Sequence, residues 1–378
     1  MCSMRAVIDL AKVVSICVAA SVSTGALVPR AASAGDIPAF AVDPSWPKQL
    51  PNNWIIGQVG GITVDGQGHI WVIHRPRSLT DDEKGATLTP PRSKCCASAP
   101  PVLEFDVDGN LLRAWGGPGD GYEWVGREHG IEVDDRGFVW IGGNADNDNA
   151  ILKFTVDGKY VAQIGRIAPR TDTNDTSQLG KPAETAIDKD ANEIYVADGY
   201  GNRRIIVFDA TTLAYKRHWG AYGHVPNDDK QPPYDPKAPV QQQFGNPVHC
   251  VKLADDGLVY VCDRTQNRIQ VFKKDGTFLK EWFFEKATLG NGAVWDLAIW
   301  PDPKQTYLLN ADGENNEIRI IKREDGSVVG SFGHSGRNAG QFHWIHTMAV
   351  DKLGNIYTGE VDNAKRIQKF RLTSEALQ

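Results

Sequence analysis

The chain has only 3 methionines in 378 residues, against 38 glycines and 21 prolines. That balance disfavours long helices and favours many short strands joined by turns. Positive charge is also in short supply: 41 lysines and arginines face 47 acids, a formal charge of −6. A nucleic-acid surface held by bulk positive charge is therefore not expected. Beyond the N-terminus no apolar run approaches the roughly 18 residues of a membrane span, so no membrane partner is expected either. With 23% charged and 41% apolar residues the composition is globular. The length suits one large all-β unit.

Arg5 and Lys12 precede an apolar stretch over 13–28, and Ala32-Ser33-Ala34 has the small-x-small form of a cleavage site. Residues 1–34 are accordingly expected to be an export signal, 35–373 the folded unit and 374–378 a tail. The mature protein is expected to be a periplasmic or secreted monomer, since Cys17 sits in no lipoprotein-type context. Beyond the leader stand Cys95, Cys96, Cys250 and Cys262, and an oxidising compartment permits disulfides. Cys250 and Cys262 lie equidistant from Asp256 in a hairpin turning at Asp255-Asp256-Gly257. They should face each other, at a separation a disulfide can span.

One unit recurs along the chain: a short apolar strand ending near Asp, a Gly-containing turn, then a strand with an aromatic. It runs from Ile62-Thr63-Val64-Asp65 to Ile70-Trp71-Val72, and from Ile131-Glu132-Val133-Asp134 to Val139-Trp140-Ile141. Further copies centre on Tyr195, Tyr260, Tyr307 and Tyr357, the fifth being the most divergent. Each continues into a third strand such as Val102-Leu103-Glu104-Phe105 or Ile269-Gln270-Val271-Phe272, and most then turn at Asp-Gly. Four antiparallel strands per copy and six copies predict an all-β, six-bladed β-propeller. The sixth copy ends after its third strand, and Phe40 to Trp46 can supply the fourth and close the ring. Two proline-rich insertions, over 75–101 and 222–243, interrupt the pattern at lengths usual for functional loops.

The residues opening the six inner strands are Gly60, His129, Ala183, His249, Val294 and His346. Blades 2, 4 and 6 carry histidine, each eleven residues before the aromatic of the second strand. Alternate blades lie about 120° apart, so three imidazoles should converge on the axis. Three histidines with an open fourth position are the pattern of catalytic zinc. Arg75 and Arg264 each lie fifteen residues after their blade's opening position, and Tyr200 occupies the equivalent loop of blade 3. These loops should ring the metal end, where guanidinium groups suit a carboxylate-bearing substrate.

On these residues the chain resembles the NHL-repeat propellers, and among them the peptidyl-α-hydroxyglycine α-amidating lyases, over residues 40–372. The pieces that carry the likeness are Gln58-Val59 with Gly61, Asp65 and His74-Arg75; His129-Gly130-Ile131; and Asp198-Gly199-Tyr200 with Asn202 and Arg204. Pro247, His249, Asp263-Arg264 with Asn267-Arg268-Ile269-Gln270, and His346 complete them. The resemblance implies zinc on His129, His249 and His346, Tyr200 as catalytic base, and Arg75 and Arg264 as active-site arginines. It also implies a structural calcium on the backbone carbonyls of Ile62 and Ile131 and an aspartate after the third histidine. Thr347 stands at that last position, and a neutral hydroxyl is a poor ligand for a hard dication. Gly201 stands where the family has a disulfide cysteine, and Trp344 where it has methionine. The partner monooxygenase is not part of this chain.

The expected activity is that of a zinc-dependent carbon–nitrogen lyase acting on an α-hydroxy-amide or related small-molecule or peptide-derived carboxylate. Two other readings stand beside it: an NHL interaction module without catalysis, and a metal-dependent propeller hydrolase of the lactonase kind. Metal content separates the enzymes from the module.

Overall fold

The computed structural model describes residues 37–374; the expected export signal and most of the tail lie outside them. Six four-stranded antiparallel sheets follow one another along the chain. Blade 1 consists of Gln58–Val64, Ile70–Arg75, Val102–Phe105 and Leu111–Trp115. The inner strands of blades 2 to 6 are Glu128–Val133, Glu184–Asp188, Val248–Leu253, Asp296–Ile299 and Ile345–Val350. Each packs against the inner strands of both neighbours, so the six close a ring around a central channel. The fourth strand of blade 6 is Phe40–Asp43, paired in register from Phe40 with Leu372 to Asp43 with Lys369. The fold is thus a six-bladed β-propeller, closed by its N-terminal strand.

The recurring residues have recurring tasks. The Asp ending the inner strand accepts a hydrogen bond from the aromatic of the second strand: Trp71 Nε1 to Asp65 at 2.9 Å, Trp140 Nε1 to Asp134 at 3.1 Å, Tyr357 OH to Asp351 at 3.0 Å. A buried polar group thereby finds its partner within its own hairpin. The Asp-Gly turns do more than reverse the chain. Gly158, Gly276 and Gly326 have φ of 79°, 90° and 78°, and their α-carbons lie against Trp115, Trp219 and Trp282 of the preceding blade. A Cβ on any of them would come within 2.3–2.9 Å of that indole. Glycine is needed there for both backbone conformation and close approach. Six apolar clusters fill the six interfaces between adjacent blades, such as Trp71, Ile73 and Val102 of blade 1 with Val133 and Val139 of blade 2.

Besides the register shifts between third and fourth strands in blades 1 to 5, four inner hairpins are irregular at the end where the site lies. Inner strands of blades 1, 2, 4 and 6 shift register at Val59/Gly61, His129/Ile131, Val248/Cys250 and Ile345/Thr347. A bulge re-aims a side chain, and three of these four involve the register histidines. Buried ion pairs tie the rim loops of blades 3 and 4 to the strands that follow: Arg204 to Asp198 at 2.9 Å and Arg268 to Asp263 at 2.8 Å, all four side chains fully buried. Cys250 and Cys262 are directly opposed, bonded, and 4.8 Å apart at Cα. Cys95 and Cys96 are bonded to each other in the first insertion. Among the described residues no helix is long and apolar enough to cross a membrane.

Candidate metal centre

The bulged inner strands bring His129, His249 and His346 together, all three at most 3% exposed. Ring centroids are 4.7–5.2 Å apart, and one ring nitrogen from each lies within 4.8 Å of the others. His129 Nδ1 donates to the Ala183 carbonyl at 2.7 Å, and His249 Nδ1 to the Trp295 carbonyl at 2.5 Å. With the proton held on Nδ1, Nε2 presents a lone pair to the axis. Burial first, then the nearby arginines, and for His129 and His346 the neighbouring imidazoles, push all three well below the ordinary histidine range. They are neutral donors at neutral pH, the state a metal ligand requires.

Tyr200 reaches the same point from blade 3. Its hydroxyl lies 3.0 Å from Nε2 of both His129 and His249, and Arg264 donates to it at 3.3 Å. Glycines on either side let this loop settle against its neighbours: a Cβ on Gly199 would meet Val248 O at 2.0 Å, and one on Gly201 would meet Gly180 O at 2.8 Å. The loop is fixed by Asp198, which accepts from Gly180 N–H, Asn202 and Arg204. Arg264 also lies over the Trp295 ring, 4.4 Å from its centroid, and its Nε is buried without a partner. Arg75, 5% exposed, donates to Glu128 O at 2.9 Å and to Gln58 at 3.0 Å. Burial, reinforced by Arg127, pulls its guanidinium down to about 10, so it stays charged at neutral pH. Three imidazole lone pairs, a phenol and two guanidinium groups therefore share one end of the channel.

Several contributors lie outside the sequence expectation. Ala183 and Trp295 belong to blades 3 and 5, which carry no register histidine, and act through backbone oxygen. Glu128, 1% exposed, accepts from Trp124 Nε1 at 2.9 Å and from Arg77 at 3.1 Å beside His129. Two further groups with ligand-bearing atoms come together among the described residues. In one, His69 and Glu104 pair at 2.8 Å with Arg113 on the other carboxylate oxygen, so its charges are satisfied internally. In the other, Glu184 and Asp296 flank Cys250, whose sulfur is bonded to Cys262.

The three imidazoles fit a zinc ion by donor type, protonation state and convergence. Calcium fits less well. Ile62, Ile131 and Thr347 do line one cavity with the histidines, but Thr347 offers a neutral hydroxyl where a hard dication favours a carboxylate. The carboxylates on that cavity, Glu184 and Asp296, are both bound to Lys252.

A closed six-bladed propeller with a three-histidine cluster on its axis is the class that fold and site define. The chain is similar to NHL repeat-containing protein 3 of Mus musculus, 28% identical over 346 residues, 88% of this chain and 84% of that protein. It is also similar to a probable peptidyl-alpha-hydroxyglycine alpha-amidating lyase of Caenorhabditis elegans, 26% identical over 328 residues, 84% of this chain and 83% of that one. No family model matches. Among solved structures, a selenomethionine-substituted virginiamycin B lyase from Staphylococcus aureus shares 15% identity over 89% of this chain and 90% of that chain, with a TM-score of 0.48.

Proposed function

We propose that the chain is a zinc-dependent carbon–nitrogen lyase that splits an α-hydroxylated amide bearing a carboxylate into an amide and a carbonyl acid. The observation that carries this reading is the Tyr200 hydroxyl, 3.0 Å from two neutral imidazoles of the axial cluster and within reach of Arg264. The similarity to an amidating lyase over most of both chains supports it.

His129, His249 and His346 would hold the zinc, whose Lewis acidity would make a substrate hydroxyl easier to deprotonate. Tyr200, as general base, takes the proton from the α-hydroxyl. The electron pair of that O–H bond becomes the second bond of the new carbonyl as the carbon–nitrogen bond breaks. The nitrogen leaves with the electron pair of that bond and receives the proton back from Tyr200, giving the primary amide, so no water is consumed. Arg75 and Arg264 hold the carboxylate, a pairing in which guanidinium offers two parallel donors. Desolvated rim arginines make the interaction strong, and Trp295 keeps Arg264 in place from below.

The test is turnover of an α-hydroxyhippurate-type substrate by protein carrying one equivalent of zinc, with amide and glyoxylate formed in equal amounts. Activity that disappears on chelation and returns with zinc supports the reading. Background turnover by zinc-loaded protein would overturn it. Protein that holds no transition metal after export would favour an interaction module.

A further inference from the structure

A second layer of ionic side chains crosses the channel next to the imidazoles, and the proposed chemistry does not use it. It comprises Glu132 of blade 2, Glu184 of blade 3, Lys252 of blade 4 and Asp296 of blade 5, all on inner strands. Lys252 Nζ pairs with Glu184 Oε1 and lies 3.1 Å from Asp296 Oδ1. Both carboxylates are also anchored to backbone across the ring. Val251 N–H donates to Glu184 and Met348 N–H to Asp296, each at 2.8 Å. Thr63 of blade 1 donates to Glu132 at 3.0 Å. Together these contacts join blade 1 to blade 2, and blades 3, 4, 5 and 6 in series, at one level.

Three carboxyl groups face a single ammonium here. Burial pushes Glu132 up to about 7 and raises Glu184 too, against the pull of Lys252. Burial opposes the lysine's charge as well, but Asp296 and Glu184 more than offset this and hold the ammonium above its ordinary range. Glu184 and Asp296 line the small cavity that also carries Ile62, Ile131 and Thr347. A hard dication takes six to eight oxygens. Position 347 offers a neutral hydroxyl, and the carboxylates already have a cation in Lys252.

We propose that Lys252 is the resident cation of this channel, its ammonium joining Glu184 and Asp296 in place of the calcium that Ile62, Ile131 and position 347 would otherwise share. The stitching of the ring is then covalently supplied and independent of calcium supply. Removing the ammonium leaves buried carboxylates without a counter-charge, which is strongly destabilising unless a cation enters.

The experiment is metal analysis and thermal unfolding of the full chain after EGTA treatment, with and without millimolar calcium chloride, for wild type, Lys252→Gln and Lys252→Arg. Wild type and Lys252→Arg are expected to carry no stoichiometric calcium and to keep the same Tm in both conditions. Lys252→Gln is expected to melt lower and to regain several degrees with calcium, as mass action requires of a ligand bound only by the folded state. Stoichiometric calcium in wild type, a wild-type Tm that rises with calcium, or a Lys252→Gln protein indifferent to it would each overturn the proposal. Should Lys252→Gln fail to fold, the calcium content and response of wild type and Lys252→Arg decide. Zinc content and turnover are not read, so the outcome is separable from that of the lyase reading.

Discussion

At the scale of single residues, Tyr200 and His74 illustrate opposite uses of burial. Tyr200 presents its hydroxyl to the axis while its backbone is pinned, with its carbonyl accepting from Asn246 at 2.7 Å. Tyr200→Phe removes the oxygen and leaves ring and loop in place. It should lower kcat by about 10²–10⁴ while zinc content and Tm stay unchanged; metal analysis beside steady-state kinetics checks this, and a variant of full activity would remove Tyr200 from the mechanism. His74 has both ring nitrogens engaged, Nδ1 accepting from Gly57 N–H at 3.1 Å and Nε2 facing the Pro100 carbonyl at 3.0 Å. It is fully buried, and desolvation pulls it from 6.5 down to about 4. Its pKa is depressed on folding, so the unfolded chain binds the extra proton first as pH falls. Its contribution is whole above pH 6.5 and is lost on acidification toward pH 4, a loss of about 3 kcal/mol. Denaturant unfolding of wild type and His74→Gln across that range should show a shallower pH slope in the variant.

At the scale of the element, the hairpin turns bear more weight than their exposure suggests. Gly326 has a φ of 78° and its missing Cβ would sit 2.3 Å from Cδ1 of Trp282. Gly326→Ala should therefore destabilise by about 1–3 kcal/mol, read as a lower Tm, with zinc stoichiometry intact because the turn is remote from the axis. These turns, the Asp–aromatic pairs and the histidine column were legible in the sequence because each depends on residue type at a fixed interval. The carbonyls of Ala183 and Trp295 were not, since any residue supplies a backbone oxygen. Nor was the Lys252–Glu184–Asp296 triad. Which residue of an inner strand meets the axis depends on the bulge in blades 1, 2, 4 and 6 and its absence in blades 3 and 5. A bulge has no residue-type signature as firm as that of a turn. The leader, by contrast, was read from its basic residues, apolar stretch and small-x-small site, and lies beyond the described residues.

At the scale of the molecule, the ring closes through four residues. Phe40–Asp43 covers the edge of Ile367–Leu372, and Trp46 packs against Tyr357 of blade 6 and Phe105 of blade 1. Truncating the chain to begin after Trp46 would expose that strand edge, and unpaired edges recruit other chains. The truncated protein is expected to melt lower and to elute as larger species on size-exclusion chromatography. A monomer of unchanged Tm would show that the inter-blade clusters hold the ring without its clasp.

The three histidines of the centre stand on blades 2, 4 and 6, so no fragment shorter than residues 129–346 contains them all. Its appearance during folding must wait until the slow, long-range docking of late blades on early ones is complete. The site therefore serves as a built-in clock of assembly. Under the zinc reading proposed above, a half-made ring would offer at most two imidazoles and bind metal weakly, whereas the finished ring would gain the full binding free energy at once. Metal capture would then act as a ratchet on the last docking step, and the rate at which refolding protein acquires three-histidine coordination should equal the rate at which blade 6 arrives.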